Sequence, residues 1–501
     1  MGATMTRLGL PLETVSDNPI PDRVLGYFSV QAAASVFGGK VKTIHGSAKV
    51  YHAKKADRDD VRRDLEKSGF SIVAESALGL SVAGPGAAYE EITGGKLEPL
   101  ERLMYSKGGY SEYITHIDIV GKNQPSTLGV GLAKSKNLKV DGIVLERPRV
   151  YNAIFPSPIP PGSPKYHLRV PGDLALALNA VRAHQKGFRG DGVAIAMPDS
   201  GWYRHPFFTA QGYNVKTPIA VVPGADPSKD PQGHGTGESA NIFAIAPGAV
   251  LQPIRASNNA GALVGAMTAF LKAKELAPRI VTNSWGGDDP YPPAPSPDES
   301  ELAFAAEIRD AIDQGILVVF SAGNGQFSVE PQVDGVLAAG GTYMDKNGDL
   351  RASDYASGYQ STWFAKAVVP TACGLVGMQP RAQYLMLPIP AGCEIDQDES
   401  APAPEDPTGD GTSPSDGWAL FSGTSAAAPQ LAGAAAVLLS AKPNLTPAQV
   451  IESFTSTAVD VVVGHSFPQR FNNPALPGPD LATGAGLINV DAALQYAQGH
   501  F

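Results

Sequence analysis

A doubly wound α/β domain with a parallel sheet, preceded by a small α+β domain, is the fold the sequence predicts. Three observations carry that prediction. Short apolar runs alternate with helical patterns throughout the second part of the chain, the arrangement of a parallel sheet covered on both faces. An amphipathic helical stretch sits among strand-like runs in the first part. Between the two, AIFPSPIPPGSP over residues 153–164 is proline-rich and aperiodic, as an extended, exposed linker would be. The resulting division is an irregular leader over 1–45, an α+β domain over 46–152, a linker over 153–170 and a large domain over 171–501.

In the first domain, VKTIHGSAKVYHA reads as a strand and DRDDVRRDLEKSG as a helix that opens with acids. FSIVAESALGLSVAGP follows as a further strand segment. AAYEEITGGKLEPLERLMYSKG is expected to be helical in part, broken near Gly94–Gly95, and VDGIVLERPRVYN alternates like a closing strand. In the second domain GDLALALNAVRAHQKG is an amphipathic helix, and GVAIAMPDSG a buried strand that ends in a turn. The strands AVLQPIRA, RIVTNSWG, GILVVFSAG and VLAAGG then alternate with the helices ALVGAMTAFLKAKELA and ESELAFAAEIRDAIDQG. Two acidic, proline-rich stretches, 286–298 and 394–416, are expected to be exposed loops, the second either simply solvated or a weak cation site.

Composition narrows the function. With 501 residues, 43% hydrophobic and 18% charged, the chain has the make-up of a soluble globular protein with a large core. Its 39 basic and 49 acidic residues leave a net charge of −10, which argues against nucleic acid or an anionic membrane as a general partner. The N-terminal residues lack a basic segment followed by an apolar core, so no Sec-type signal is read. The expectation is cytoplasmic, with secretion by a non-Sec route as the alternative. Cys373 and Cys393 are then expected as reduced thiols, although a bridge between them stays open if the protein is exported. No zinc-type Cys/His spacing is present, and neither a metal nor a cofactor is expected.

The chemistry is concentrated in FSGTSAAAPQLAGAAAVLLS, residues 421–440. There a glycine-hinged hydroxyl cluster leads directly into a long run of small apolar residues, a buried helix interrupted by Pro429, Gln430 and Gly433 and too short to span a membrane. A serine at such a helix N-terminus lies among unpaired backbone N–H groups, where developing negative charge is stabilised. Taken alone, Ser422, Thr424 and Ser425 fit equally as helix caps. Asp199 in MPDSGW, His234 in QGHGTGES and Asn324 in FSAGNGQ each fit a turn or structural role by themselves. All of them, however, fall at predicted carboxyl ends of parallel strands, where sites in such sheets are built.

In that order, DSG, GHGT, SAGN and SGTSAAAP resemble the subtilisin-like (subtilase) serine peptidases over roughly residues 170–500. The resemblance implies Ser425 as nucleophile, His234 as general base and then acid, Asp199 as its orienting partner, and Asn324 as donor to the oxyanion. Retention of His234 sets the chain apart from the related sedolisins. Asn283-Ser284-Trp285-Gly286 looks like the edge segment that pairs with substrate, with Ala322 and Gly323 on a pocket wall. Trp285 fits equally as a core aromatic. The small domain is similar to an inhibitor-type propeptide whose tail enters the cleft, with cleavage expected within or near residues 151–167; a permanent accessory domain is the alternative. The sequence departs from the family pattern in Gly237-Glu238-Ser239 after HGT, in Gln430 where a histidine is usual, and in a short stretch after His234 without room for a calcium loop.

The expected function is therefore a serine endopeptidase made as a precursor with its own inhibitory domain. It acts on polypeptides through an acyl-enzyme and needs no cofactor. Two alternatives stay open: a dedicated peptide-processing protease or transamidase, and a catalytically silent peptide-binding module.

Overall fold

The computed structural model describes residues 13–501 apart from 39, 40, 42, 45, 107–109, 152–165, 365, 366, 405 and 415. The expected linker and cleavage segment therefore lie almost entirely outside the described residues.

The large domain is built on a parallel sheet whose strands lie in the order Asn214–Val215, Val250–Arg255, Ala194–Asp199, Ile280–Asn283, Leu317–Ser321 and Leu337–Met344. Leu350–Ala352 adds an antiparallel edge, and Ala372–Leu375 pairs in parallel with Leu337–Met344. The strands read as continuous apolar runs because both faces are buried, and alternate residues feed different cores. Ile195, Met197, Leu317 and Val319 point to the face covered by the helices His234–Ile245 and Thr424–Ala441. Ala196, Val318 and Phe320 point to the other face, covered by Ala266–Glu275 and Glu299–Asp313. Strand order reverses where the chain steps from Ala194–Asp199 outward to both sides, so the strand carrying Asp199 is central.

The helix Thr424–Ala441 is buried almost along its whole length, so its apolar composition serves the core. It runs parallel to His234–Ile245. Gln430 meets Asn241 and Gly433 lies against Ile242, where a Cβ on the glycine would come within 2.8 Å of the Ile242 carbonyl oxygen. Both helices therefore begin at the same end of the sheet, the carboxyl end of its strands.

The N-terminal domain is a five-stranded antiparallel sheet in the order Ser71–Glu75, Gly79–Gly84, Val24–Val30, Val140–Leu145 and Val130–Gly131. One face holds Phe28, Leu80, Val82, Ile143 and Leu145 under the helices Lys55–Lys67 and Gly86–Thr93. The opposite face, with Tyr27, Leu78 and Val144, is buried against the helices Ala266–Glu275 and Glu299–Asp313 of the large domain. One sheet thus closes two cores.

Several expectations need correction here. The described part of the leader over 1–45 is not irregular, because Val24–Val30 is the central strand of the small sheet and Glu13–Val15 is an edge strand beside Lys96–Ser106. Among its described residues VKTIHGSAKVYHA forms no strand; it contains a 3-10 turn over Ala48–Tyr51, whose Lys49 N–H is accepted by the Ser47 side chain. The helix in AAYEEITGGKLEPLERLMYSKG stops at Thr93 because Gly94 takes φ 71°. Lys96–Ser106 is then a strand of a long hairpin with Tyr110–Val120. GDLALALNAVRAHQKG is two short helices parted at Asn179, which takes φ 58°. The stretch 394–416 is a solvated loop only in part, since many of its residues after Ser400 are exposed. It opens with the helix Glu394–Ser400, and Asp396, Glu399 and Asp410 are buried, Asp410 receiving the backbone N–H groups of Thr412 and Leu420.

The two domains meet through a buried polar cluster. Glu307 accepts from Tyr27 Oη at 2.7 Å and Ser76 Oγ at 2.6 Å and is ion-paired with Lys274, which also binds Asp310 at 3.0 Å. Tyr27 is held well above the usual phenol range, first by burial and then by the Glu307 charge. Removing one partner of a fully buried pair leaves the other charge uncompensated, at a cost of about 3–5 kcal/mol. Glu307→Ala is accordingly expected to lower unfolding stability by about that amount. A denaturant titration with an unchanged midpoint would show that Lys274 is satisfied by Asp310 alone.

Candidate active site

The site is assembled at the carboxyl ends of the central strands. Asp199 is the last residue of its strand, and its Oδ1 accepts from His234 Nδ1 at 2.7 Å and from the Ser200 backbone N–H at 2.7 Å. His234 opens the helix His234–Ile245 and is fully buried. Its approach to Asp199 depends on Gly235, where a Cβ would lie 2.3 Å from the Gly201 carbonyl oxygen and 3.0 Å from the Asp199 Cβ. Gly233 turns the chain into this helix at φ 92°, with Cys393 Sγ 2.5 Å from where its Cβ would be. Cys373 and Cys393 are both buried and unbridged.

Asp230 belongs to the same corner. It is buried and accepts from Ser200 Oγ, the Gly233 and Thr236 N–H groups and Thr236 Oγ1, all within 3.0 Å. It thereby ties the DSG turn to the start of the histidine helix, whose N-terminal N–H groups favour a carboxylate. Sequence reasoning passed over it. The available signal was an acid just upstream of a glycine-flanked histidine that opens a helix.

Ser425 lies in the first turn of the helix Thr424–Ala441, behind Gly423 at φ 139°. Its Oγ donates to the Ser284 carbonyl at 3.0 Å, and Ser284 Oγ donates back to the Ser425 carbonyl at 2.8 Å. Asn324 follows the strand Leu317–Ser321; its Oδ1 accepts from the Thr424 N–H at 3.0 Å and Thr424 Oγ1 at 2.9 Å. Its Nδ2 is buried without a protein partner. A buried amide with one end fixed and the other unpaired is a donor awaiting an acceptor.

The edge segment is divided in its roles. The Trp285 indole is a core group, fully buried against Phe304 and Phe320 with its Nε1 donating to the Pro198 carbonyl at 2.8 Å. Its backbone, with that of Gly286, forms a short antiparallel pair with Val150–Tyr151, in the register Trp285 to Tyr151 and Gly286 to Val150. The segment that leaves the small domain thus lies on the strand predicted to receive substrate. Ala322 is fixed by its N–H to the Ala339 carbonyl at 2.9 Å, and the Gly323 N–H donates to Thr424 Oγ1 at 3.2 Å. Both therefore line the approach to Asn324 through their backbone.

Glu238, one of the departures from the family pattern, is one helical turn beyond His234 and fully buried. Its Oε2 accepts from Asn241 Nδ2 at 2.9 Å, while its Oε1 accepts no hydrogen bond and lies 3.9 Å from His234 Nε2. Asn241 is held in turn by Gln430, the second departure, whose amide also spans both backbone groups of Leu375. Burial pushes the Glu238 carboxyl up to about 8 against the pull of His234. For His234 burial lowers the pKa, but Asp199, by charge and hydrogen bond, then Glu238 and Asp230 outweigh it and raise the ring to about 8. A histidine acting as base must be neutral, so activity is expected to rise with pH through this range. Removing an anion beside an imidazolium lowers its pKa, so in Glu238→Gln the rising limb of kcat/KM is expected at lower pH. A limb that does not move would mean that Glu238 stays neutral over the whole catalytic range.

The model of the subtilase family matches residues 190–486. Among relatives, subtilisin E of Bacillus subtilis (strain 168) is 28% identical over 333 residues, covering 64% of this chain and 70% of that protein. Subtilisin Savinase of Lederbergia lenta is 24% identical over 332 residues, covering 63% of this chain and 96% of that protein. Among solved structures, fervidolysin from Fervidobacterium pennivorans, described as a keratinolytic enzyme related to subtilisin, aligns with a TM-score of 0.53 at 18% identity. That alignment covers 94% of this chain and 61% of the fervidolysin chain, and it concerns the fold alone. With the family match spanning more than half of the chain, this protein belongs to the subtilase family, a family of serine-type peptidases.

Proposed function

We propose that this protein is a serine endopeptidase that cuts itself from a precursor, with the N-terminal domain as its inhibitory propeptide. The observation that carries the reading is Asn324, whose Nδ2 is a buried, unpaired donor beside the first turn of the serine helix. A peptide-binding groove needs no such donor, whereas a tetrahedral intermediate does. In the reaction Ser425 Oγ turns from the Ser284 carbonyl and attacks the scissile carbonyl carbon while His234 Nε2 takes its proton. Asp199, already bonded to Nδ1, holds the ring and stabilises the imidazolium. The oxyanion is received by Asn324 Nδ2. Collapse breaks the C–N bond, the amine leaves with the proton from His234, and water then releases the acyl group from Ser425 by the same steps in reverse.

Self-processing is supported by the Val150–Tyr151 strand on the edge segment, which leads the chain into the cleft and denies it to other peptides. A dedicated processing enzyme or transamidase would use the same centre and differ in what its cleft admits.

The test is a fluorophosphonate label together with intact mass and N-terminal sequencing, on wild type and Ser425→Ala. Labelling at Ser425 and a cut near residues 151–167 in wild type alone are expected. An unlabelled folded wild type would leave the silent binding module as the reading. A labelled wild type that stays full length would make the small domain a permanent accessory.

A further inference from the structure

Resting on the peptidase reading, we infer that the cleft selects substrates with arginine four residues before the cut, and more weakly six before it. Glu330 and Asp298 are the carboxylates that read them. The register sets the count. Ser425 Oγ is bonded to the Ser284 carbonyl, so the residue opposite Ser284 in an antiparallel substrate strand is the one at the nucleophile. Residues opposite Trp285 and Gly286, the places held by Tyr151 and Val150, are second and third before the cut. The fourth place is that of Arg149 and the sixth that of Arg147.

Both arginines are buried, at 8% and 6% exposure, and both reach carboxylates of the large domain. The Arg149 N–H donates to the Leu263 carbonyl at 3.3 Å, which continues the strand pairing on its other side. The Arg149 guanidinium has Nε 3.4 Å from Glu330 Oε1 and lies 5.7 Å from the centre of the Phe304 ring, a combined ionic and cation–π seat. Glu330 is 0% exposed; Oε2 receives the Gly287 N–H at 3.3 Å, and Oε1 has no hydrogen bond. Arg147 Nη2 is 2.9 Å from Asp298 Oδ2, on a carboxylate that also caps the helix Glu299–Asp313.

The seat discriminates because of Glu330. Among the described residues Arg149 is the one cation paired with it, and Glu330 itself is part of the large domain. Once the tail departs, an apolar side chain entering this place would bury the carboxylate without a counter-ion, whereas an arginine restores the pair. Asp298 is 36% exposed, so solvent screens it and the sixth place discriminates less.

The experiment uses the full-length protein after self-processing, with active sites counted by fluorophosphonate. The probe is a fluorogenic hexapeptide Arg-Pro-X-Val-Tyr-Asn in which X is arginine or leucine. In wild type kcat/KM is expected to favour arginine by about 10-fold, the scale of a screened buried ion pair, and Glu330→Gln should bring the ratio near one. Asp298→Asn should leave the ratio at X unchanged and reduce the advantage of the arginine peptide over a counterpart with leucine at its first position. The wild-type ratio decides by itself if the Glu330 variant fails to fold. Labelled wild type that cuts both peptides equally, or neither, overturns the inference while the peptidase reading stands. Protein that takes no label and cuts nothing removes both.

Discussion

Ser425→Ala is expected to lower kcat by about a millionfold, and adding His234→Ala to it should cost almost nothing more, because the two act as one proton-transfer unit. The geometry explains the non-additivity. His234 is held by Asp199 on Nδ1 and buried on all sides, so without the hydroxyl it has no proton to take. What activity remains would come from Asn324 and from peptide binding on the edge strand. Steady-state kinetics on the single and double variants, at matched protein concentration and after the N-terminal domain has been removed in trans by wild type, checks this. A double variant far slower than Ser425→Ala would mean that His234 acts through something other than Ser425.

Asn324→Ala is expected to lower kcat by about 100- to 1000-fold, with little change in KM. Asn324 makes two separable contributions. Its Oδ1 anchors Thr424 at the start of the serine helix, and its Nδ2 faces the site. Asn324→Asp preserves the acceptor to Thr424 but replaces the donor with a negative charge. It should therefore be at least as slow as the alanine variant. If Asn324→Asp were nearly as active as wild type, Asn324 would be acting on Thr424 and not on the oxyanion.

Much of this centre was legible from residues in order. DSG and SAGN each follow an apolar run that is a strand of the parallel sheet, and such positions share one end. GHGT and SGTS instead open the two helices that start at that end, GHGT after a polar loop and SGTS after an antiparallel strand of a separate sheet. The helix pair was legible for the same reason, since Ala426–Leu439 has no polar face and must be buried. The small domain was harder. Val24–Val30 is a short apolar run without clear alternation, because both of its faces are buried, one under its own helices and one on the large domain. In KLEPLERLMYS the Glu, Leu and Arg residues favour helix, yet the segment pairs along its length with Tyr110–Val120, so tertiary pairing overrides propensity. The carboxylates of 394–416 suggested solvent because nothing in a linear reading shows that backbone N–H groups close around Asp410. Glu238 could be seen as a departure, but its neighbour could not. Only the helix turn brings its Oε1 to 3.9 Å from the histidine.

The joint between the domains bears on how they part. Lys274, Glu307 and Asp310 all belong to the large domain, and the small domain contributes hydroxyls, from Tyr27 and Ser76, together with His52 on Asp310. Within this cluster, separation strands no carboxylate from its lysine: the ion pair stays behind whole, and the departing part takes with it the Tyr27 and Ser76 hydroxyls and the His52 ring. Among the described residues, Arg147 and Arg149, at the end of the tail, are the arginines that would leave ionic seats on the large domain. The broad face thus holds no arginine–carboxylate pair in this cluster, and the paired arginines lie in the tail near the proposed cut. If the chain is cut there as proposed, a tethered contact becomes a bimolecular one, and dilution then favours separation.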